Sequence, residues 1–168
     1  MKLFRPDHMF YRLTEITPQF LRENGIKALA LDVDNTLSTH HGQQPLEGLE
    51  DWIEMMQKNG IRLLIVSNAF DKRVRPFAEK IGLAYQSTSL KPLPFAYFRA
   101  AHRMGVRLRE MAIVGDQVFT DIIGGSLTFV KTVLVTPIMP DKFVRRRKIE
   151  DWLLKDRPRE SGGENHVG

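Results

Sequence analysis

Four short stretches carry residue types that together could act on a phosphate ester. Asp32-Val33-Asp34-Asn35-Thr36 sets two carboxylates two positions apart at the end of an apolar run. A carboxylate in line with phosphorus can attack as a nucleophile and form an acyl phosphate. A second carboxyl, protonated, can give its proton to the leaving oxygen. Two acids alone repel a phosphate, so the pair calls for a divalent cation. Mg2+ suits such a shell, because it prefers carboxylate and phosphate oxygens together with water. Gly115-Asp116, with Thr120 and Asp121 behind it, adds two acids: Asp116 suited to bind the metal, Asp121 to bind it or to orient its water. Gly115 permits close backbone approach. Ser67-Asn68 offers a hydroxyl and an amide to phosphate oxygens, and Lys91-Pro92 offers a cation to balance nucleophile and phosphate.

Each stretch also has a plainer reading. Asp34-Asn35-Thr36 can cap a turn, and Asp116 can cap a helix starting near Gln117. Ser67-Asn68 can be one more strand-to-helix turn, and a lone lysine is usually solvated. The order of all four, three of them directly after apolar strands, favours a single site.

The surrounding elements support that convergence. Thr17-Pro18 opens a short helix over Gln19–Glu23 that Asn24-Gly25 stops. KALALDVD, IRLLIVSN, MAIVGD and KTVLVT read as buried strands, with a shorter one over Leu83–Gln86. Helices are expected over 46–59, 71–81 and 93–104, in a short segment to about Gly124, and over 141–155. Trp52, Met55 and Met56 are assigned to the core. Alternation of strands and helices implies right-handed crossovers, hence a Rossmann-like three-layer α/β/α sandwich with a mainly parallel sheet. Ligands bind outside the carboxyl ends of such strands. Asp32, Ser67 and Asp116 all fall there.

These stretches resemble the four motifs of the haloacid dehalogenase-like phosphohydrolases: the DxDNT, the serine, the lysine and a GDxxxxD. ITPQFLRENGIKALALDVDNTL, IVSNAFDKRV, the KP pair and VGDQVFTDIIGG are similar to the YqeG branch, classed as subfamily IIIA and related to mitochondrial phosphatidylglycerophosphate phosphatases. The resemblance spans about residues 1–155. It implies magnesium-dependent hydrolysis through an aspartyl-phosphate. By motif position, Asp32 is nucleophile and metal ligand, and Asp34 is general acid/base with its main-chain carbonyl on the metal. Ser67 with Asn68 binds phosphate, Lys91 stabilises the phosphoryl-enzyme, and Asp116 is the acidic ligand. Asp121 stands at a position that varies within the family. After Gly124-Gly125, the run SLTFVKTVLV is looser than that branch implies.

Length and charge bound the rest. The chain has 168 residues, 42% hydrophobic and 27% charged, which fits one globular domain over 1–155 with a disordered polar tail over 156–168. With no cysteine, thiol nucleophiles and thiolate metal sites are excluded. The net charge of +5 equals the five cations Lys142, Arg145, Arg146, Arg147 and Lys148, so the rest of the chain balances. That cluster, on a helix with Phe143, Val144, Ile149 and Trp152, suits an anionic lipid surface or a solvated helix face packed on the sheet. One basic cluster without interleaved aromatics argues against nucleic acid. The N-terminal MKLFRPDHMFYR lacks the apolar stretch of a signal peptide. A cytoplasmic protein, at most peripheral at a membrane, is expected.

Family members often insert a cap domain after the first motif or between the second and third. Leu37 to Pro45 is too short for one, and Asn68 to Lys91 holds one helix and one strand. An open site without a cap suits large phosphate carriers such as a lipid headgroup, a protein or a nucleic-acid end, or needs an oligomer or partner as lid, and it does not exclude small substrates. His40 and His41 lie on the first of these loops. The expected activity is hydrolysis of a phosphomonoester, with phosphatidylglycerophosphate placed first. The alternatives are soluble sugar or nucleotide phosphates, or a non-catalytic phosphate- or metal-binding module.

Overall fold

The computed structural model describes residues 5–34, 36–38, 44–137, 151–152, 154–155 and 158–160. Six strands form one parallel sheet: β1 (His8–Phe10), β2 (Ala28–Leu31), β3 (Arg62–Val66), β4 (Tyr85–Gln86), β5 (Met111–Gly115) and β6 (Lys131–Val135). Their spatial order is β1-β6-β5-β2-β3-β4, every pair parallel. The chain therefore builds outward from β2 in one direction and from β5 in the other. The crevice between β2 and β5 is the switch point at which such sheets bind ligands.

Strand alternation divides the core. Leu29 and Leu31 of β2 face one side with Ile65, Ala112 and Val114; Ala28 and Ala30 face the other with Leu64, Val66 and Ile113. The first face is covered by α1 (Pro18–Glu23), α2 (Leu49–Lys58) and α3 (Asp71–Ile81). The second is covered by α4 (Pro94–Met104), whose Ala96 and Ala100 come close because the strand residues beneath are alanines. Next to α4 lie a wide turn over Val118–Ile122 and α5 (Ile123–Leu127). Gly124 and Gly125 are packed tightly, since a Cβ on them would stand 2.2 Å from the Tyr97 hydroxyl and 2.7 Å from Ile113 and Thr132. The looser run after them thus begins from a fixed point.

Three expectations are corrected. The lead-in is more than a short helix, because His8–Phe10 pairs with β6 and extends the sheet. Three residues are too few to show a strand period, and the pairing is fixed instead by Asp7, whose carboxylate accepts from the Thr132 backbone N–H at 2.9 Å. Met55 is 37% exposed, because α2 buries Leu49, Trp52, Ile53 and Met56 and turns Met55 away. Trp52 does lie in the core, its indole N–H donating to the Ile16 carbonyl at 2.8 Å. From the segment expected to be a disordered tail, Pro158–Glu160 lie along β1. The Glu160 N–H donates to the Met9 carbonyl at 2.7 Å, and the Arg159 guanidinium sits 4.7 Å from the Tyr11 ring centroid.

Lys142–Lys148, His40 and His41 lie outside the described residues. Farther along the expected basic helix, Leu154 packs against Met9, Val118, Ile122 and Leu134, while Trp152 is 74% exposed. Among the described residues no helix is long and apolar enough to cross a membrane.

Candidate active site

Strands β2 and β5 deliver their acids to one place. The Asp32 N–H donates to the Val114 carbonyl at 2.9 Å, which ties the end of β2 to β5 just before Asp116. Asp121 arrives from the Val118–Ile122 turn, a π-type widening in which the Gln117 carbonyl accepts from the Ile122 N–H at 3.4 Å as well as from the Asp121 N–H at 3.0 Å. Asp32, Asp116 and Asp121 are all buried, with carboxylate oxygens within 4.8 Å of one another. Gly115 makes this possible. A Cβ there would stand 2.1 Å from Asp121 Oδ2, so the close approach its absence allows is that of Asp121.

Lys91 enters the same space from the loop after β4. Its Nζ donates to Asp121 Oδ1 at 2.6 Å and to Asp32 Oδ1 at 3.0 Å. Burial by itself would push this ammonium down; the Asp121 and Asp32 carboxylates outweigh burial and hold it above the ordinary lysine range. Asp121 is pushed up to about 6, chiefly by burial and further by the charge of Asp32, against the pull of Lys91. Burial also raises the Tyr97 phenol, whose O–H donates to the Thr120 carbonyl at 2.8 Å. Three buried carboxylates around one ammonium leave excess negative charge, all of it on hard oxygens. This donor set fits a divalent cation.

The lysine loop is held by the residues after β3. Asn68 clamps the main chain of Lys91, its Oδ1 accepting from the Lys91 N–H at 2.7 Å and its amide donating to the Lys91 carbonyl at 3.0 Å. The Ser67 hydroxyl is buried and accepts from the Ala69 N–H at 3.1 Å, while the Ser67 carbonyl accepts from the Ser89 N–H at 3.0 Å. Thr88 and Leu90 adopt left-handed φ of 46° and 57°, a strained arrangement that these bonds sustain beside the Lys91-Pro92 cis peptide. The expected amide for phosphate oxygens is therefore engaged in positioning the lysine.

Asp34 stands apart from the buried cluster. Its Oδ1 accepts from Arg73 Nη2 at 2.7 Å, with 23% of the Asp34 side chain and 38% of the Arg73 side chain exposed. Together with Val33, Ser67, Ala69, Val74 and Phe77 they line a small cavity. Arg73 is the site residue that motif reasoning passes over. A signal was present: a cation in the first turn of a helix opposes the helix dipole and calls for an anion nearby.

Buried acids at the switch point of a parallel sheet, with a lysine between them, define a recognisable class of hydrolase. The haloacid dehalogenase-like hydrolase family model matches residues 17–127, and the chain belongs to that family. It is 34% identical over 156 residues, 91% of each chain, to the probable phosphatase YqeG of Bacillus subtilis. Among solved structures, NagD of E. coli superposes with a TM-score of 0.60 at 12% identity, covering 82% of this chain and 94% of that one. The cobalt-bound form of the deoxy-D-mannose-octulosonate 8-phosphate phosphatase YrbI of Haemophilus influenzae gives 0.52 at 18% identity, covering 79% and 89%. The two structures share the fold. Between Asn68 and Lys91 this chain carries only α3 and β4, so no cap is inserted there.

Proposed function

We propose that the chain is a phosphomonoester phosphatase that works with Mg2+ through an aspartyl-phosphate. One observation carries the reading: Asp32 lies at the switch point with its carboxylate on the Lys91 ammonium, beside two more buried acids. Asp32 attacks phosphorus, and the bond to the leaving oxygen breaks as Asp34 gives that oxygen a proton. Asp34 then takes a proton from water, whose oxygen attacks the acyl phosphate and frees Asp32 and inorganic phosphate. Lys91 pairs with the Asp32 carboxylate and balances charge on the phosphoryl oxygens. Ser67 borders the phosphate, and Arg73 holds Asp34 until the substrate phosphate gives the guanidinium a second anion. Asp32, Asp116 and Asp121, with the Asp34 main-chain carbonyl, would hold the cation, which supplies charge neutralisation at the phosphate.

Phosphatidylglycerophosphate is the substrate we place first, supported by the similarity to YqeG-type sequences and by the uncapped stretch between Asn68 and Lys91. The second reading is a soluble sugar or nucleotide phosphate. Asp32→Asn tests the chemistry. Hydrolysis of an aryl phosphate should vanish while the circular dichroism spectrum is kept; retained turnover overturns the assignment. A panel of lipid phosphate in micelles and soluble esters, with and without Mg2+, tests the substrate. Turnover of soluble esters alone removes the lipid.

A further inference from the structure

The loops that carry Asn68 and Lys91 also carry large apolar side chains facing solvent. Phe70 is 76% exposed, Leu90 53% and Leu93 48%. The Thr88 N–H donates to the Ala69 carbonyl at 2.8 Å and the Ser89 N–H to the Ser67 carbonyl at 3.0 Å, so the two loops lie side by side next to the Asn68–Lys91 clamp. The surface continues down the outer face of α4, where Phe95 and Phe98 are 45% and 55% exposed. Arg99 stands one helical turn after Phe95 on that same face. Soluble proteins rarely leave so many adjoining large apolar groups uncovered without a partner.

The charges around this surface are mostly positive. From Lys80 to Arg109 the sequence contains no Asp or Glu at all. Lys72 and Arg99 are exposed, two positions after Phe70 and one after Phe98 along the chain. The neighbouring carboxylate, Asp71, is taken up by Arg75 at 2.5 Å and by the Tyr85 hydroxyl at 2.7 Å. A second copy of the chain fits poorly, because a two-fold pairing of this face would set Lys72 and Arg99 against a surface without free carboxylates. An anionic bilayer fits well. It accepts aromatic and leucine side chains at the level of its headgroups and attracts cations at its surface.

We propose that Phe70, Leu90, Leu93, Phe95 and Phe98, flanked by Lys72 and Arg99, form a docking surface for anionic lipid membranes. The face adjoins Lys91, so docking holds the mouth of the site against the headgroup layer. The proposal concerns the surface of the same site that we read as a phosphatase, and binding is measured without turnover.

The test is co-sedimentation of the full chain with phosphatidylcholine vesicles, with and without phosphatidylglycerol. Binding should require phosphatidylglycerol and weaken as salt is raised. Phe95→Gln/Phe98→Gln should weaken it about tenfold, and Lys72→Glu/Arg99→Glu by a similar factor. Both variants should keep the wild-type melting temperature and turn over an aryl phosphate at the wild-type rate. Three results would overturn the proposal: no sedimentation with either vesicle, unchanged binding by both variants, or a wild-type dimer that Phe95→Gln/Phe98→Gln converts to monomer. Vesicle binding without any phosphatase activity would leave the surface intact and sink the catalytic reading instead.

Discussion

Asp32 and Asp34 are two residues apart, yet they occupy different electrostatic regions. Asp32 belongs to a buried floor, where Lys91 contacts two carboxylates and a third carboxylate lies within 4.8 Å of those two. Asp34 belongs to a rim, where its partner Arg73 and its own side chain stay partly in water. In the floor each charge depends on the others, because an ion left alone in low dielectric is expensive. At the rim solvent substitutes for a lost partner. The floor is built to hold fixed charges, and the rim to exchange them. On the proposed mechanism, the nucleophile falls in the first region and the acid that gains and loses a proton in the second.

Lys91→Met should break this contrast most severely. It leaves Asp32, Asp116 and Asp121 buried without their ammonium, a loss of about 3–5 kcal/mol by comparison with other broken buried pairs. Urea denaturation measures it. Mg2+ should restore part of that stability and raise the melting temperature of the variant more than that of the wild type, since a ligand of the native state stabilises by mass action. A variant as stable as wild type without the cation would mean that the floor does not depend on charge balance.

Gly115→Ala changes the floor without touching a charge. The new methyl group would meet Asp121 Oδ2 at 2.1 Å and must displace either the carboxylate or the backbone of β5. Overpacking of this kind costs about 1–3 kcal/mol. Because Asp121 would move away from Lys91, aryl phosphate turnover should fall by more than the unfolded fraction explains. Thermal melts and turnover on one sample check both parts. Full activity at reduced stability would assign Asp121 to structure alone.

The sequence makes the floor far easier to see than the rim. Ala28–Leu31, Arg62–Val66 and Met111–Gly115 are apolar runs closed by polar residues, so period and composition together give both the strands and their business ends. Asp32, Ser67 and Asp116 could be found because each stands at such a boundary, and Lys91 only through its place beside Pro92 in the order of the four stretches. Three features have no comparable local mark. The strand His8–Phe10 exists only through β6, 125 residues from the Asp7 that anchors it. The clamp of Asn68 on Lys91 joins residues 23 apart through the main chain, where side-chain type carries no clue. Arg73 looks like any helical cation until Asp34, 39 residues earlier, is placed beside it.

Arg73 offers the mildest perturbation and the sharpest test of the rim. Its ion pair is partly hydrated, so Arg73→Met should change stability by no more than about 1 kcal/mol. Its effect on catalysis should be larger, because a hydrogen bond to a charged group at a binding site is worth about 1.5–3 kcal/mol. On the reading that Arg73 passes from Asp34 to the incoming phosphate, the KM for an aryl phosphate should rise about tenfold. Arg73→Lys keeps the charge without the planar fork and should fall between wild type and Arg73→Met. If Arg73 serves only to hold Asp34 in place, kcat should fall in both variants while KM stays where it was. A floor-like outcome, with stability lost and kinetics unchanged in the folded fraction, would erase the distinction between the two regions.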